Sequence, residues 1–364
     1  MMGIKSTFVC LKGFELQKDE ADFLRTYNPM GLTLFKRNID NPQQLKKLTD
    51  DIKTAIGRDD FLIAIDQEGG LVRRMRPPHW REYVSQQQLG LLDEPLAQEA
   101  IKLHGDLISD DLQSMGINVN FSPVSDTLHP DTTGAIASRC FSTDSSVVGK
   151  YASLLAKTYM ENGICPCIKH LPGHGLANTD SHIGLPVIDA PMDLIQRDFL
   201  PFQQMANFAP FGMTAHVVLP MIDDKPITQS KKGIDFIRKE IGFDGLLITD
   251  AIEMKALSGS LVERARASLD AGCDVVCYCS GHDQNNPEMV AENISVLKAC
   301  PVISDKTYER LQKVVQVIKQ PYQAKDISHL AGRYNDLVQS NQAQTNGPDC
   351  TENWANWRKV IKSR

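Results

Sequence analysis

GLTLFK at 31 to 36 and FLIAID at 61 to 66 are short apolar runs, and between them NPQQLKKLTDDIKTAI, 41 to 56, carries apolar residues at three- and four-residue spacing. Strand, amphipathic helix, strand is the order of a crossover unit with parallel strands. Working outward, the pattern continues in both directions. Further strand candidates are TFVCLKG (7 to 13), INVNFSPV (117 to 124), ICPCIKH (164 to 170), FGMTAHVV (211 to 218), GLLITD (245 to 250) and VVCYCS (275 to 280), which brings the total to eight. Helix-like stretches intervene, among them EPLAQEAIKLHGDLISDDLQSM, DSSVVGKYASLLAKTYMENG and LVERARASLDAG, and the last two stop on a glycine. Eight such units, with no G-x-G-x-x-G after the first strand, predict an α/β fold, a single (β/α)8 TIM-type barrel, in preference to an open doubly wound sheet.

The barrel is expected to occupy 1–320, with 321–364 as a polar C-terminal tail: QSNQAQTNGPDCTEN reads as flexible and ENWANWRKVIKS as a possible short helix. No internal repeat or second domain is evident. Two connections, 125 to 144 and 171 to 190, are too long to be plain links, and such loops commonly carry sites. A chain of 364 residues with 42% hydrophobic and 23% charged residues can bury a sizeable core. Its net charge of −6, with no basic stripe, argues against nucleic acid as a partner. No run approaches the ~20 apolar residues of a membrane span, and MMGIKSTFVCLKGF is too polar for an export signal. Nine cysteines, several inside apolar runs, read as reduced core thiols, which points to a cytoplasmic protein, a monomer or weak homo-oligomer.

In such a barrel the reactive groups gather at the C-terminal ends of the strands. Strand three ends in Asp66, followed by Gln67, Glu68, two glycines, Arg73 and Arg74; strand five ends in Lys169 and His170; strand six carries His216; strand seven ends in Asp250. The segment KHLPGHGLANTDSHIGLP, 169 to 186, is a shaped loop. Within it Asp180 and His182 are two apart, so the carboxylate can accept a bond from one ring nitrogen and leave the other for acid/base work. The alternative reading is a metal-dependent TIM-barrel hydrolase using His170, His174, His182 and His216. Against it, the first strand offers Cys10, Leu11 and Lys12 in place of a His-x-His pair.

The runs GLTLFKRNI, IDQEGGLVRRM, GINVNFSPVSD, SRCFSTD, KHLPGHG with TDSH, TAHVVLP and GFDGLLITDAIEM together resemble glycoside hydrolase family 3 over residues 7 to 285, most of all its single-domain bacterial β-N-acetylhexosaminidases of cell-wall recycling. The resemblance implies Asp250 as nucleophile, His182 as acid/base and Asp180 as its support. It implies sugar-binding roles for Asp66, Arg74, Arg139, Lys169 and His170, to which the rim residue His216 is added. The implied enzyme is a retaining exo-β-N-acetylglucosaminidase acting on muropeptides, a small carbohydrate substrate, with no metal and no cofactor. A phosphorylase and a catalytically degenerate sugar-binding member of the same family are the nearer alternatives. The sequence departs from the pattern at Ala251, where a second aspartate is common, and at Leu71 and Leu171. Glu253 reads as a charge at a helix entry.

Overall fold

The computed structural model describes residues 3–280, 286–321 and 325–338. All eight expected strands are present: β1 (Lys5–Cys10), β2 (Pro29–Leu34), β3 (Leu62–Ile65), β4 (Val119–Asn120), β5, β6 (Phe211–Thr214), β7 (Leu246–Ala251) and β8 (Val275–Cys277). The fifth comes in two pieces, Cys165–Pro166 and Ile168–Leu171. The first piece pairs with β4 and the second with β6. Every other neighbour is parallel and sequential, and β8 pairs back onto β1. Sheet order thus runs round a ring, and the barrel is nearly closed.

Several strands are shorter than their apolar runs because the chain leaves the sheet to build the rim. Beyond β6, Val218 donates its N–H to Pro186 O and accepts from Ile188 N, both at 2.9 Å, which pins one leg of the 171–190 loop. Beyond β3, Gln67–Gly69 and Val72–Arg73 form an antiparallel hairpin that the sequence reading did not include. Its turn needs Gly69 and Gly70, at φ 99° and 60°; a Cβ on Gly69 would stand 2.3 Å from Val84 O.

The helix Pro42–Ile56 shows how the outer layer follows from sequence. Asn41 caps it by accepting from Gln44 N at 3.0 Å, Pro42 opens it, and Gly57 closes it in the left-handed region. Its buried face is Leu45, Leu48, Ile52 and Ala55, at three- and four-residue spacing. Cutting Leu48 to alanine in such a face costs about 2–5 kcal/mol. Inside the barrel, the rings of Phe8, Phe121 and Phe211 meet at 6.1–6.4 Å and fill the lumen beneath the rim.

Part of the segment expected as a polar tail is structured: the helix Ile327–Val338 docks Tyr334 and Val338 into the core. The Tyr334 hydroxyl bonds His104 Nδ1 at 3.0 Å, and His104 Nε2 bonds Glu68 O at 3.0 Å. The carbonyl can only accept, so Nε2 carries the proton and Tyr334 is the donor. Burial holds His104 neutral, pushed down to about 4. The polar stretch 339–353 and the short helix expected over 352–363 lie outside the described residues. Among the described residues, no helix is long and apolar enough to cross a membrane.

Candidate active site

At the C-terminal mouth of the barrel lies a pocket of about 580 Å³. Asp66, Arg74, Arg139, Lys169, His170, His182 and Asp250 all line it, with Phe35, Phe121 and Met213 as apolar walls.

One side is a network of charges. Asp66 accepts from Lys169 Nζ on Oδ1 and from Arg74 Nη2 on Oδ2, both at 2.9 Å. Glu68 takes both Arg139 Nε and Nη2, at 2.9 and 2.8 Å, and its Oε1 lies 2.5 Å from Lys169 Nζ. Two carboxylates therefore bind three cations in a nearly dry setting. Burial alone would push both carboxyls up; the cations outweigh it and hold Asp66 and Glu68 below the usual range. The same partners raise Lys169 against the pull of burial. The hairpin sets the geometry. The Gln67 side chain accepts from Arg74 N and Met75 N at 2.9 and 3.1 Å and donates to Met75 O at 3.0 Å, while Asn120 brackets the Gln67 backbone.

His170 donates from Nδ1 to Asp126 Oδ2 at 2.7 Å, and burial, with Arg139 nearby, keeps it neutral. On the 171–190 loop, Asp180 Oδ1 accepts from His182 Nδ1 at 2.7 Å and from His182 N at 2.9 Å. Burial raises the Asp180 carboxyl, but the ring and main-chain contacts of His182 together outweigh it and the net shift is downward. The Nδ1 bond fixes the orientation of the His182 ring. Ala256 N donates to Ser181 O at 3.1 Å, tying this loop to the segment after β7. Asp250 ends β7, with Oδ1 accepting from Ala251 N at 2.8 Å. Burial again opposes ionisation, but the Asp250 carboxyl is drawn down on balance beside His182 and the Ala251 N–H, so Asp250 is a carboxylate at neutral pH.

One rim thus joins a carboxylate, a histidine–aspartate pair and a network of buried charges. The family described as Glycosyl hydrolase family 3 N terminal domain matches residues 5–317. The chain belongs to glycosyl hydrolase family 3. A Beta-hexosaminidase of Bordetella avium is 32% identical over 306 residues, covering 82% of this chain and 85% of that protein. One of Chromobacterium violaceum is 35% identical over 317 residues, covering 84% and 85%. Among solved structures, NagZ from Neisseria gonorrhoeae in complex with N-trifluoroacetyl-D-glucosamine superposes with a TM-score of 0.79 at 28% identity, over 93% of this chain and 99% of that one. The β-N-acetylglucosaminidase from Thermotoga maritima gives a TM-score of 0.69 at 26% identity, over 90% and 69%. The family places this chain among the glycosidases.

Two expectations need correction. His216 does not line the pocket: it is fully buried, with Nδ1 on Thr228 Oγ1 at 2.8 Å and Nε2 on Ala251 O at 3.0 Å. With both nitrogens engaged it braces the Asp250–Ala251 peptide. Glu253 is not at a helix entry, since the next helix begins at Leu261, and it lines the pocket. Of the histidines of the metal alternative, His170 is engaged by Asp126, His182 by Asp180, and His216 by Thr228 and Ala251. Among the described residues no three His, Cys, Asp or Glu side chains are arranged to hold a metal ion. Glu68, Asp126 and Gln67 had been given no role. Glu68 and Gln67 stand in IDQEGG and Asp126 closes SPVSD, so the motifs themselves held the signal.

Proposed function

We propose that this glycosidase is a retaining exo-β-N-acetylglucosaminidase whose substrates are muropeptides derived from peptidoglycan in the cytoplasm. The observation that carries the reading is the Asp180–His182 pair lining the same pocket as the Asp250 carboxylate and the Asp66–Arg74–Lys169 cluster. Charged donors and acceptors fixed in this way suit the vicinal hydroxyls of a terminal sugar. Asp250 attacks the anomeric carbon while His182 Nε2 gives its proton to the departing glycosidic oxygen, leaving a glycosyl ester on Asp250. Water, giving a proton back to His182, then opens the ester, and configuration is retained.

The test is an aryl β-N-acetylglucosaminide assay with the wild type, Asp250→Asn and His182→Ala, with and without phosphate. Wild-type turnover without phosphate and loss of it in Asp250→Asn are expected. An inactive wild type, or full activity in the Asp250 variant, sinks the assignment; a strict phosphate requirement makes the enzyme a phosphorylase.

A further inference from the structure

His174, in the middle of the site loop, is used by nothing described so far. It is 2% exposed, and neither ring nitrogen has a hydrogen-bond partner among the described residues. A neutral imidazole carries one N–H donor and one acceptor, and buried polar atoms of this kind are rarely left unmatched. Its place is well fixed. The His174 N–H donates to Asp126 Oδ1 at 2.8 Å, and its ring stands edge-on to His170 at 5.7 Å.

A matching acceptor lies on the same loop. Asp180 spends Oδ1 on both His182 bonds, while Oδ2 is buried and has no partner among the described residues. The charged and titratable groups facing His174 are Asp126, His170, Asp250 and Asp180, with Arg139 beyond His170 and His182 beyond Asp180. Asp126 is occupied by the His170 ring and two backbone N–H groups, and Asp250 Oδ1 by Ala251 N. Asp198, on the helix Met192–Met205, also has an unpartnered oxygen, but its carboxyl is paired with His129 at 2.6 Å.

We propose that His174 is a positioning residue of the acid/base pair: its ring N–H holds Asp180 Oδ2, directly or across one water, so that both oxygens of the carboxylate are fixed while Oδ1 orients His182. The proposal rests on His182 acting as acid/base. Each group already acts on the other, Asp180 drawing His174 up and His174 drawing Asp180 down, against the larger effect of burial on both. Without that hold, the carboxylate is free to rotate and loses its direction toward His182. Bonds of this kind commonly tighten only when substrate is bound.

The test is a double-variant cycle. kcat/KM for an aryl β-N-acetylglucosaminide is measured across pH for the wild type, His174→Leu, Asp180→Ala and the double variant, with thermal melts confirming that each is folded. His174→Leu is expected to lose ~10- to 100-fold, in the range of other groups that act through a histidine, and to move the pH–rate limb belonging to His182. His174→Asn or His174→Gln, which restore an N–H at one ring position or the other, should recover part of that loss. In the Asp180→Ala background, His174→Leu should cost nothing more. An equal loss in both backgrounds, or an unchanged pH profile in a folded His174→Leu, overturns the proposal. If Asp180→Ala alone keeps full activity, the acid/base assignment fails first and this inference with it.

Discussion

The two sides of the pocket are built differently. On the β3–β5 side, ion pairs tie Asp66 and Glu68 to Arg74, Arg139 and Lys169, with Lys169 and Glu68 side chains 2% exposed. On the loop side, the Asp180–His182 pair has a histidine 16% exposed, and one main-chain bond from Ala256 joins its neighbour Ser181 to the barrel. The first side is organised before substrate arrives, so little is lost in ordering it. The second is the more exposed at its histidine, so the two sides differ in burial and in how densely their charges are paired.

The sharpest way to break that contrast is His182→Ala. If the loop supplies only proton transfer, turnover should fall by ~10²–10⁴-fold for poor leaving groups and far less for a nitrophenyl glycoside, with KM little changed. Equal losses for both, read from initial rates, would return the loop to substrate binding. Next is Glu68→Gln, which leaves Arg139 and Lys169 short of a charge while touching no pocket wall. A loss of about 3–5 kcal/mol in urea unfolding is expected, with a raised KM. A stable variant with normal KM would show that the network is not what holds the rigid side.

A pH scan separates the sides more finely. His104 is held at about 4, below its ordinary 6.5, so between these values the unfolded chain binds a proton that the fold refuses. Its contribution, about 3 kcal/mol in all, is complete above pH 6.5 and is lost as pH falls toward 4. The depressed carboxyls of Asp66 and Glu68 lose theirs only at still lower pH, below the ordinary carboxylate range. Melting temperatures at pH 7.5, 6 and 5 should fall in the wild type and less in His104→Gln; parallel curves would remove His104 from the account. The smallest effect is expected at the thiols. Cys277 and Cys279 line the pocket with their sulfurs 3.1 Å apart, yet burial and the bond to Cys277 push the Cys279 thiol well up. Iodoacetamide at pH 7.5 should therefore leave activity intact over the time in which a model thiol reacts fully.

The barrel was legible because its signal is periodic and repeated: eight apolar runs, with helical patterns such as Leu45–Leu48–Ile52 between them. Most site residues were legible because they stand where strands end. What sequence could not resolve was direction. His216 follows β6 near the rim, where Asp250 ends β7, but its ring turns toward Thr228 and away from the pocket. Glu253 has no helix to enter, because the chain after β7 makes turns until Ser260 caps the next helix. Glu68 passed unassigned since a buried carboxylate is tolerable only with its partners, and those come from 71 positions further on at Arg139 and from the end of β5.

The helix Ile327–Val338 gives the contrast its reach. Through Tyr334 and His104 it grips the carbonyl of Glu68, the residue whose carboxylate gathers Arg139 and Lys169. A segment that looks like an appendix in the sequence is thus a keel, and whatever loosens its seat on the barrel is transmitted to the charge network at the rim, with no atom of the pocket wall replaced.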